Sequence, residues 1–237
     1  MERGKARAML RDEQRKERRQ RILDVAEALV RETNGTSFTM VQLAKRARMS
    51  APTPYNLFGS KGAILYSLLN RAMDDLLSSG AQLEGKAPAA LGPVLAMENA
   101  ANYFIGDPEL FRPLYKYQLG EYAKEQRPAY MTRALDYWRH SLSGLIDAGY
   151  FSEGCRLPAE DIAVALLSHS IGLLDLWVQH EFTDREFRAR MMQGGACIVY
   201  PAATSEARQQ LDDVLERLRR DIEPGFSFAA QPLHHSR

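Results

Sequence analysis

The sequence has little of what covalent frameworks require, since only two of its 237 residues are cysteines. Two cysteines form neither a disulfide framework nor a cysteine-based metal cluster, and such sparing use is typical of a reducing cytoplasm. Glycine and proline, at 16 and 11 residues, are not in excess, which excludes a collagen-like or mostly disordered chain. No apolar run reaches the roughly 18 residues of a membrane span. Because the N-terminus is charged rather than apolar, the sequence predicts neither a secretory signal nor a membrane partner.

The motifs of common enzyme classes are also missing. The sequence has no HExxH, GxSxG, GxGxxG or P-loop spacing, so no catalytic residue is indicated. His140, His169 and His180 lie on different predicted helices, where they could converge with Asp175 or Cys155. An enzyme, or a metal-sensing protein, that uses these residues is a minor alternative. We expect no enzyme, no metal and no cofactor.

Positive charge is concentrated at one end of a chain that is nearly neutral overall. Residues 1–62 hold 14 Lys and Arg against 7 Asp and Glu, whereas residues 63–237 hold 17 against 23. A cationic segment that displaces counterions from phosphates favours a nucleic-acid partner. A solvated basic tail and a module that binds an acidic protein are the alternatives. A membrane surface is disfavoured, because Met1–Arg21 has few large apolar residues to insert.

Apolar residues recur at helical spacing along the chain, and strand-like alternation is nearly absent, so the fold class is predicted to be all-α. A clear stripe begins near Arg18 and ends at Asn34-Gly35, where glycine is expected to take the left-handed C-cap. The expected organisation has four parts. They are a frayed or partly helical basic arm at 1–17, a DNA-binding domain at 18–65, a helical regulatory and dimerisation domain at 66–222, and a flexible tail at 223–237.

Two short helices in residues 39–58 carry the sharpest functional signal. Thr39 is expected to cap a helix through Arg46, and Ser50 is expected to cap a second helix over Ala51–Phe58. About three residues separate them. This spacing is typical of a helix-turn-helix, in which the second helix enters the major groove of DNA.

The segment TMVQLAKRARMSAPTPYNLFGSKGAIL resembles the DNA-binding domain of the tetracycline-repressor (TetR) family. The resemblance covers roughly residues 18–65, and two positions depart from the family pattern. Arg48 stands where the family usually has a turn glycine, and Pro54 replaces an aliphatic residue before Tyr55. The matching residues are Thr39, Leu43, Ala44, Ala47, Ser50, Pro52, Tyr55, Phe58, Lys61 and Ile64.

The resemblance implies that Tyr55 and Lys61 contact phosphates. From their chemistry, Gln42, Thr53 and Asn56 are the expected readers of base edges. Lys45, Arg46 and either Arg18 or Arg19 would add attraction that is blind to sequence. The complete set of predicted DNA-binding residues is Thr39, Gln42, Lys45, Arg46, Arg48, Ser50, Ala51, Pro52, Thr53, Tyr55, Asn56 and Lys61.

The C-terminal domain matches the family in architecture alone. The resemblance implies a pocket between the middle helices for a small apolar or aromatic effector, although most aromatic residues of a helical domain are simply core. Candidate pocket residues are Met97, Tyr103, Phe104, Phe111, Tyr137 and His140.

Dimerisation is predicted from the segments Pro158–Phe182 and Asp184–Tyr200, which correspond to the family's four-helix dimer interface. The first is apolar nearly all round and must be covered on every side. Candidate interface residues are Leu166, Ser168, Gly172, Leu173, Trp177, Met191 and Gly195. The sequence thus predicts a homodimeric regulator on a palindromic double-stranded DNA operator, with repression as the family-level expectation.

Overall fold

The computed structural model describes residues 2–81, 88–120, 125–152, 155 and 157–222. These residues form ten α-helices joined by turns, with two short 3-10 turns at Ala89–Leu91 and Tyr200–Ala202 and one isolated β-bridge between Phe151 and Ala203. The all-α prediction is confirmed. The helices are α1 (Glu2–Thr33), α2 (Met40–Arg46), α3 (Thr53–Phe58), α4 (Lys61–Ala81), α5 (Gly92–Ile105), α6 (Pro108–Leu119), α7 (Arg127–Asp147), α8 (Ala159–Val178), α9 (Asp184–Val199) and α10 (Ser205–Leu218).

The chain divides into two compact units, and the first comprises Met1–Leu83 and Asn102–His140. Its core forms where α1 packs on α2, α4 and α6, and where α3 packs on α2 and α4. Ile22, Val30, Leu43, Ile64 and Leu65 are completely buried there. The expected boundary at residue 65 falls within α4 and within this unit.

The first helix differs from expectation at both ends. It begins at Glu2, so the segment expected to be frayed or partly helical continues α1 without a break. At its other end the left-handed residue is Asn34, with φ of 45°, rather than Gly35. Asparagine tolerates this region better than most residues, so the turn does not need the glycine there.

The second unit comprises Glu84–Ala101 and Ser141–Arg237. Here α9 packs on α8 and α10, and the rings of Trp177 and Phe187 stack with their centroids 5.2 Å apart. Both glycines of the Gly194-Gly195 pair are enclosed. A Cβ on Gly194 would overlap the imidazole of His169, and one on Gly195 would lie 2.9 Å from Met97 Cγ. The pair therefore allows close packing within one chain, rather than the contact between chains that the sequence suggested.

Several helices end earlier than their apolar patterns predict. α8 ends at Val178 instead of Phe182, because His180 takes a left-handed conformation with φ of 63°. α9 ends at Val199 rather than Tyr200. The predicted flexible tail at 223–237 lies outside the described residues.

Candidate nucleic-acid interface

The N-terminus of α2 is fixed by a reciprocal capping box. The Gln42 N–H donates to Thr39 Oγ1 at 3.1 Å, and the Thr39 N–H donates to Gln42 Oε1 at 2.7 Å. The prediction that Thr39 caps this helix is confirmed. Since the Gln42 carbonyl is engaged with Thr39, reading an adenine through both side-chain atoms would require the capping box to open.

The turn between α2 and α3 depends on a strained arginine. Arg48 has φ of 56°, a left-handed conformation that glycine adopts at little cost. The turn closes through the Met49 N–H, which donates to the Ala44 carbonyl at 2.9 Å. Arg48 therefore takes a conformation that suits glycine, and its side chain is exposed.

The third helix begins two residues later than predicted, at Thr53, with Pro52 at the N-cap. Ser50 does not cap it, which corrects the prediction. Its hydroxyl instead shares a hydrogen bond of 2.7 Å with the Thr53 hydroxyl. Pro54 becomes the second helical residue, where no intrahelical N–H bond exists to lose, so it does not distort the helix.

One face of α3 points outward. Tyr55 is 51% exposed, Ala51, Pro52 and Asn56 are exposed, and Thr53 is half-exposed. The other side of α3 packs on α2 and α4, and a residue of α1 contacts its C-terminal end.

Arg19 makes the contact between α1 and α3. Its guanidinium donates to the Leu57 carbonyl and lies 4.0 Å from the centroid of the Phe58 ring. Arg19 is half-buried, and burial lowers the pKa of its guanidinium. Its role in this structure is thus to join the two helices, while Arg18 is exposed.

The Lys61 side chain is only partly exposed, and it already has hydrogen-bond partners within the protein. Its ammonium donates to the carbonyls of Thr36 and Phe38 and lies 5.3 Å from the centroid of the Phe38 ring. Burial lowers the pKa of this ammonium. These carbonyls engage two of the three N–H groups of the Lys61 ammonium, so one N–H group is left to donate to a phosphate oxygen.

The charges on α2 are not equivalent. Arg46 forms a two-pronged ion pair with Glu32, and both side chains are about half exposed. The bond to Arg46 lowers the pKa of the Glu32 carboxyl. Since Lys45 is exposed, it is better placed than Arg46 to attract a polyanion.

Five of the seven predicted dimer-interface residues lie inside the second unit. Leu166 and Trp177 are completely buried, Met191 and Gly195 are buried, and Leu173 is 9% exposed. They present almost no surface to a second chain, which corrects their assignment. The exposed face of α8 instead carries small residues, among which Ser168 and Gly172 were predicted and Val164 and Ala165 were missed.

Helix α8 is the one described helix that is long and apolar enough to cross a membrane by length and composition. A helix at the core of a soluble protein passes the same test.

The predicted pocket residues do not share one environment. Phe104 and Phe111 are buried against each other, with centroids 5.5 Å apart, and Tyr103 lies beside both. Tyr137 is buried against Trp138, with centroids 4.9 Å apart.

His140 is exposed, which corrects its assignment as a pocket residue. Met97 belongs to the second unit, where it is completely buried next to Gly195.

A cleft of about 360 Å³ in the first unit is lined by two of the predicted pocket residues, Tyr103 and Phe111, and by charged residues that sequence reasoning missed. Arg31 bridges Glu27 on its own helix and Asp107, the N-cap of α6, at 2.6 Å from the latter. Arg71 of α4 pairs with Glu27 as well. Glu27 and Arg31 are one helical turn apart, which is a detectable signal, but their partner at residue 107 is distant in sequence.

Two small polar arrangements elsewhere have structural explanations. The hydroxyls of Tyr115 and Tyr130 are 2.8 Å apart in the core, and burial raises the pKa of Tyr130 to about 12. His169 Nε2 lies 3.3 Å from the Arg190 carbonyl, and burial lowers the pKa of this histidine. Among the described residues, no group of three His, Cys, Asp or Glu side chains is arranged to hold a metal ion.

Solved structures of transcription regulators share this architecture. A TetR-family regulator from Syntrophomonas wolfei matches with a TM-score of 0.64 at 22% identity, over 78% of this chain and 96% of its own. SmeT, the repressor of the Stenotrophomonas maltophilia multidrug efflux pump SmeDEF, matches with a TM-score of 0.59 at 22% identity, over 80% and 92%. The chain has the fold of these regulators.

Two ligand complexes are also among the similar structures. RolR with resorcinol matches with a TM-score of 0.61 at 15% identity, over 86% of this chain and 96% of its own. SmeT with triclosan matches with a TM-score of 0.59 at 20% identity, over 80% and 93%. No protein-family profile and no curated protein sequence matches the chain.

Proposed function

We propose that the protein is a DNA-binding transcription regulator that inserts α3 into the major groove. The observation that carries this proposal is the outward face of α3, on which Thr53, Tyr55 and Asn56 are exposed or half-exposed. Asparagine can pair with an adenine edge, and threonine can present its methyl to thymine. Tyr55 is suited to donate to a phosphate, which fixes the position of the helix without reading sequence.

The charged residues around α3 have a supporting role in this proposal. Lys45 and Arg48 are exposed and add attraction to phosphates. Arg46 and Lys61 are already paired with Glu32 and with the carbonyls of Thr36 and Phe38, and they contribute through the N–H groups that these partners do not engage. Their contribution is therefore smaller than that of a free cation.

The active form is proposed to be a homodimer in the cytoplasm, without enzymatic activity. This proposal is supported by an exposed strip of small residues on α8, which consists of Val164, Ala165, Ser168 and Gly172. In the dimer, a second copy of the chain covers the strip. Small residues let two helices approach closely. A two-fold dimer places two heads about one duplex turn apart, which suits a palindromic operator.

A small apolar or aromatic effector is proposed to relieve repression. Support comes from the structural neighbours that contain triclosan and resorcinol. Within the first unit, Asp107 joins the N-terminus of α6 to Arg31 of α1, so a shift of α6 moves α1 and the DNA-binding helices with it. The effector would change DNA affinity only by its own preference for one of the two conformations.

Selection of bound duplexes from random-sequence DNA tests the function. The wild-type protein is expected to enrich palindromes with half-sites about 10 base pairs apart, or a multiple of that distance. A Tyr55→Ala/Asn56→Ala variant is run in parallel and is expected to lose the enrichment. If the wild type enriches no sequence, the proposal is wrong. Binding to acidic proteins without any DNA binding would favour the interaction-module alternative.

A further inference from the structure

The first helix extends well beyond the part that packs on the rest of the first unit. Ile22, Ala26 and Val30 are buried, whereas every residue from Met9 to Arg18 is exposed. At about 1.5 Å per residue, the part of α1 before Arg18 is about 24 Å long. The core of the protein therefore does not explain why this segment is helical.

One face of that segment is lined by arginines. Arg7, Arg11, Arg15 and Arg18 are spaced by four, four and three residues, and we call them the arginine ladder. At 3.6 residues per turn they fall within an arc of about 80° around the helix. All four are exposed, and within the described part of the chain none of the four forms an ion pair.

The other charges of the segment lie outside this arc. The acids Asp12, Glu13 and Glu17, and the two lysines, Lys5 and Lys16, all fall on other sides of the helix. The ladder is consequently a surface of one sign. Like charges four residues apart destabilise an isolated helix, and a polyanion bound along the ladder would remove that repulsion.

The ladder also faces the side of α1 on which the DNA-binding helices lie. Its arc includes the direction of Leu29, which lines a surface pocket together with Gln42 and Lys45 of α2. Arg19, the next residue after the ladder, contacts Leu57 and Phe58 at the end of α3. The C-terminal end of the ladder, at Arg18, therefore lies next to the C-terminal end of α3.

We propose that the arginine ladder binds the phosphodiester backbone of the DNA that flanks each half-site. This inference rests on the proposed function, since it places the ladder on the same duplex that α3 reads. Successive arginines are about 6 Å apart, and the duplex carries one charge per roughly 1.7 Å of its axis. Met9 and Leu10 are exposed but do not form an apolar stripe of helical spacing, so a membrane surface is less well matched.

Two double variants distinguish the effect of the ladder on DNA binding from the effect of net charge alone. Arg11→Gln/Arg15→Gln removes two charges from the ladder, and Lys5→Gln/Lys16→Gln removes two charges from the same segment outside it. Glutamine is a good helix former, and circular dichroism checks that α1 remains helical in both. Each protein is titrated with a short duplex that ends at the half-sites and with a long duplex that has ten more base pairs at each end.

The wild type is expected to bind the long duplex more tightly and with a steeper salt dependence. Arg11→Gln/Arg15→Gln should reduce the slope of log K against log salt on the long duplex by about 1.8 for each ladder, or about 3.6 for the dimer, and leave the short duplex unaffected. The lysine variant should match the wild type on both.

Equal effects of the two variants, or equal wild-type binding to both duplexes, would overturn the inference while leaving the proposed function intact. Binding to anionic lipid vesicles that only the arginine variant loses, without an effect of duplex length, would assign the ladder to a membrane and also overturn it. If the wild type binds neither duplex with sequence preference, the proposed function fails and the inference fails with it.

Discussion

Arg48 combines a strained backbone conformation with an exposed charge that we propose attracts phosphates. A side chain in the left-handed region is about 1 kcal/mol less stable than glycine at the same position. Arg48→Gly is therefore expected to raise the free energy of unfolding by up to about 1 kcal/mol and to weaken DNA binding, because an exposed cation is lost. Chemical denaturation and a binding titration measure the two effects.

Arg48→Ala is the matched control, since alanine removes the charge but keeps the Cβ. It should weaken binding without stabilising the fold. Equal stability of the glycine and alanine variants would show that the positive φ carries no strain.

At this scale, local chemistry was predictable and distant partners were not. The capping role of Thr39 follows from its side chain and from Gln42 three residues later, both visible in the sequence. The inward position of Lys61 depends on the carbonyls of Thr36 and Phe38, about 25 residues earlier. Ser50 was misassigned because Pro52 moved the start of α3.

At the scale of elements, the contact between α8 and α9 depends on Gly194. Its missing side chain leaves room for the His169 ring. Gly194→Ala is expected to lower the free energy of unfolding by about 1–3 kcal/mol, because the added methyl forces the half-buried His169 ring or the helix to move. Urea denaturation measures the loss. Gly144→Ala, at an exposed position of α7 where the added Cβ would make only an ordinary contact with Ala89 Cβ at 3.9 Å, should cause no such loss, and an equal loss in both variants would contradict this account.

The histidine in this contact, His169, makes the stability of the protein depend on pH. Burial lowers the pKa of His169 below its usual value near 6.5, so on acidification the unfolded chain binds a proton before the folded protein does. Stability is unaffected above about pH 6.5 and falls below it, by up to about 1.4 kcal/mol per pH unit until the pKa of the folded state is reached.

Urea denaturation at pH 7.5 and 5.5 measures this component. His169→Gln should reduce the difference in stability between the two pH values. The control, His140→Gln, changes an exposed histidine and should leave the difference as it is in the wild type. A difference that both variants preserve would show that His169 is not responsible.

Element type was predictable wherever apolar residues recur at spacings of three and four, but the first half of α1 has no such stripe and was expected to be frayed or partly helical. Helix ends were harder to predict, because α8 stops at a left-handed histidine rather than at a glycine or proline. The sequence predicted that α8 as a whole is covered, but it did not predict which face of the helix is buried and which is exposed. The sequence shows that the helix is apolar all round, whereas only the packing of α9 determines which face remains exposed.

At the scale of the whole molecule, the exposed strip of α8 determines the predicted assembly. Gly172→Arg introduces a long charged side chain into that strip, and it is expected to convert the dimer to a monomer. Arginine favours helix more than glycine does, so dissociation is not expected to reflect unfolding of α8. Sedimentation velocity measures the mass of the particle in solution.

Thr132→Arg, on an exposed position of α7, is the matched control and should stay dimeric. If the wild type is monomeric, or if Gly172→Arg leaves the dimer intact, this strip is not the interface. Weakened palindrome binding in the Gly172→Arg variant would connect assembly to operator recognition.

The most direct measurement of the central claim is the affinity of the wild type and of Asn56→Ala for every single-base variant of a selected duplex. If α3 reads the major groove, the wild type discriminates at several positions of each half-site, and Asn56→Ala loses discrimination, by about 1–3 kcal/mol, at one of them. An unchanged discrimination profile for Asn56→Ala, or a wild type that binds all single-base variants equally, would contradict the account.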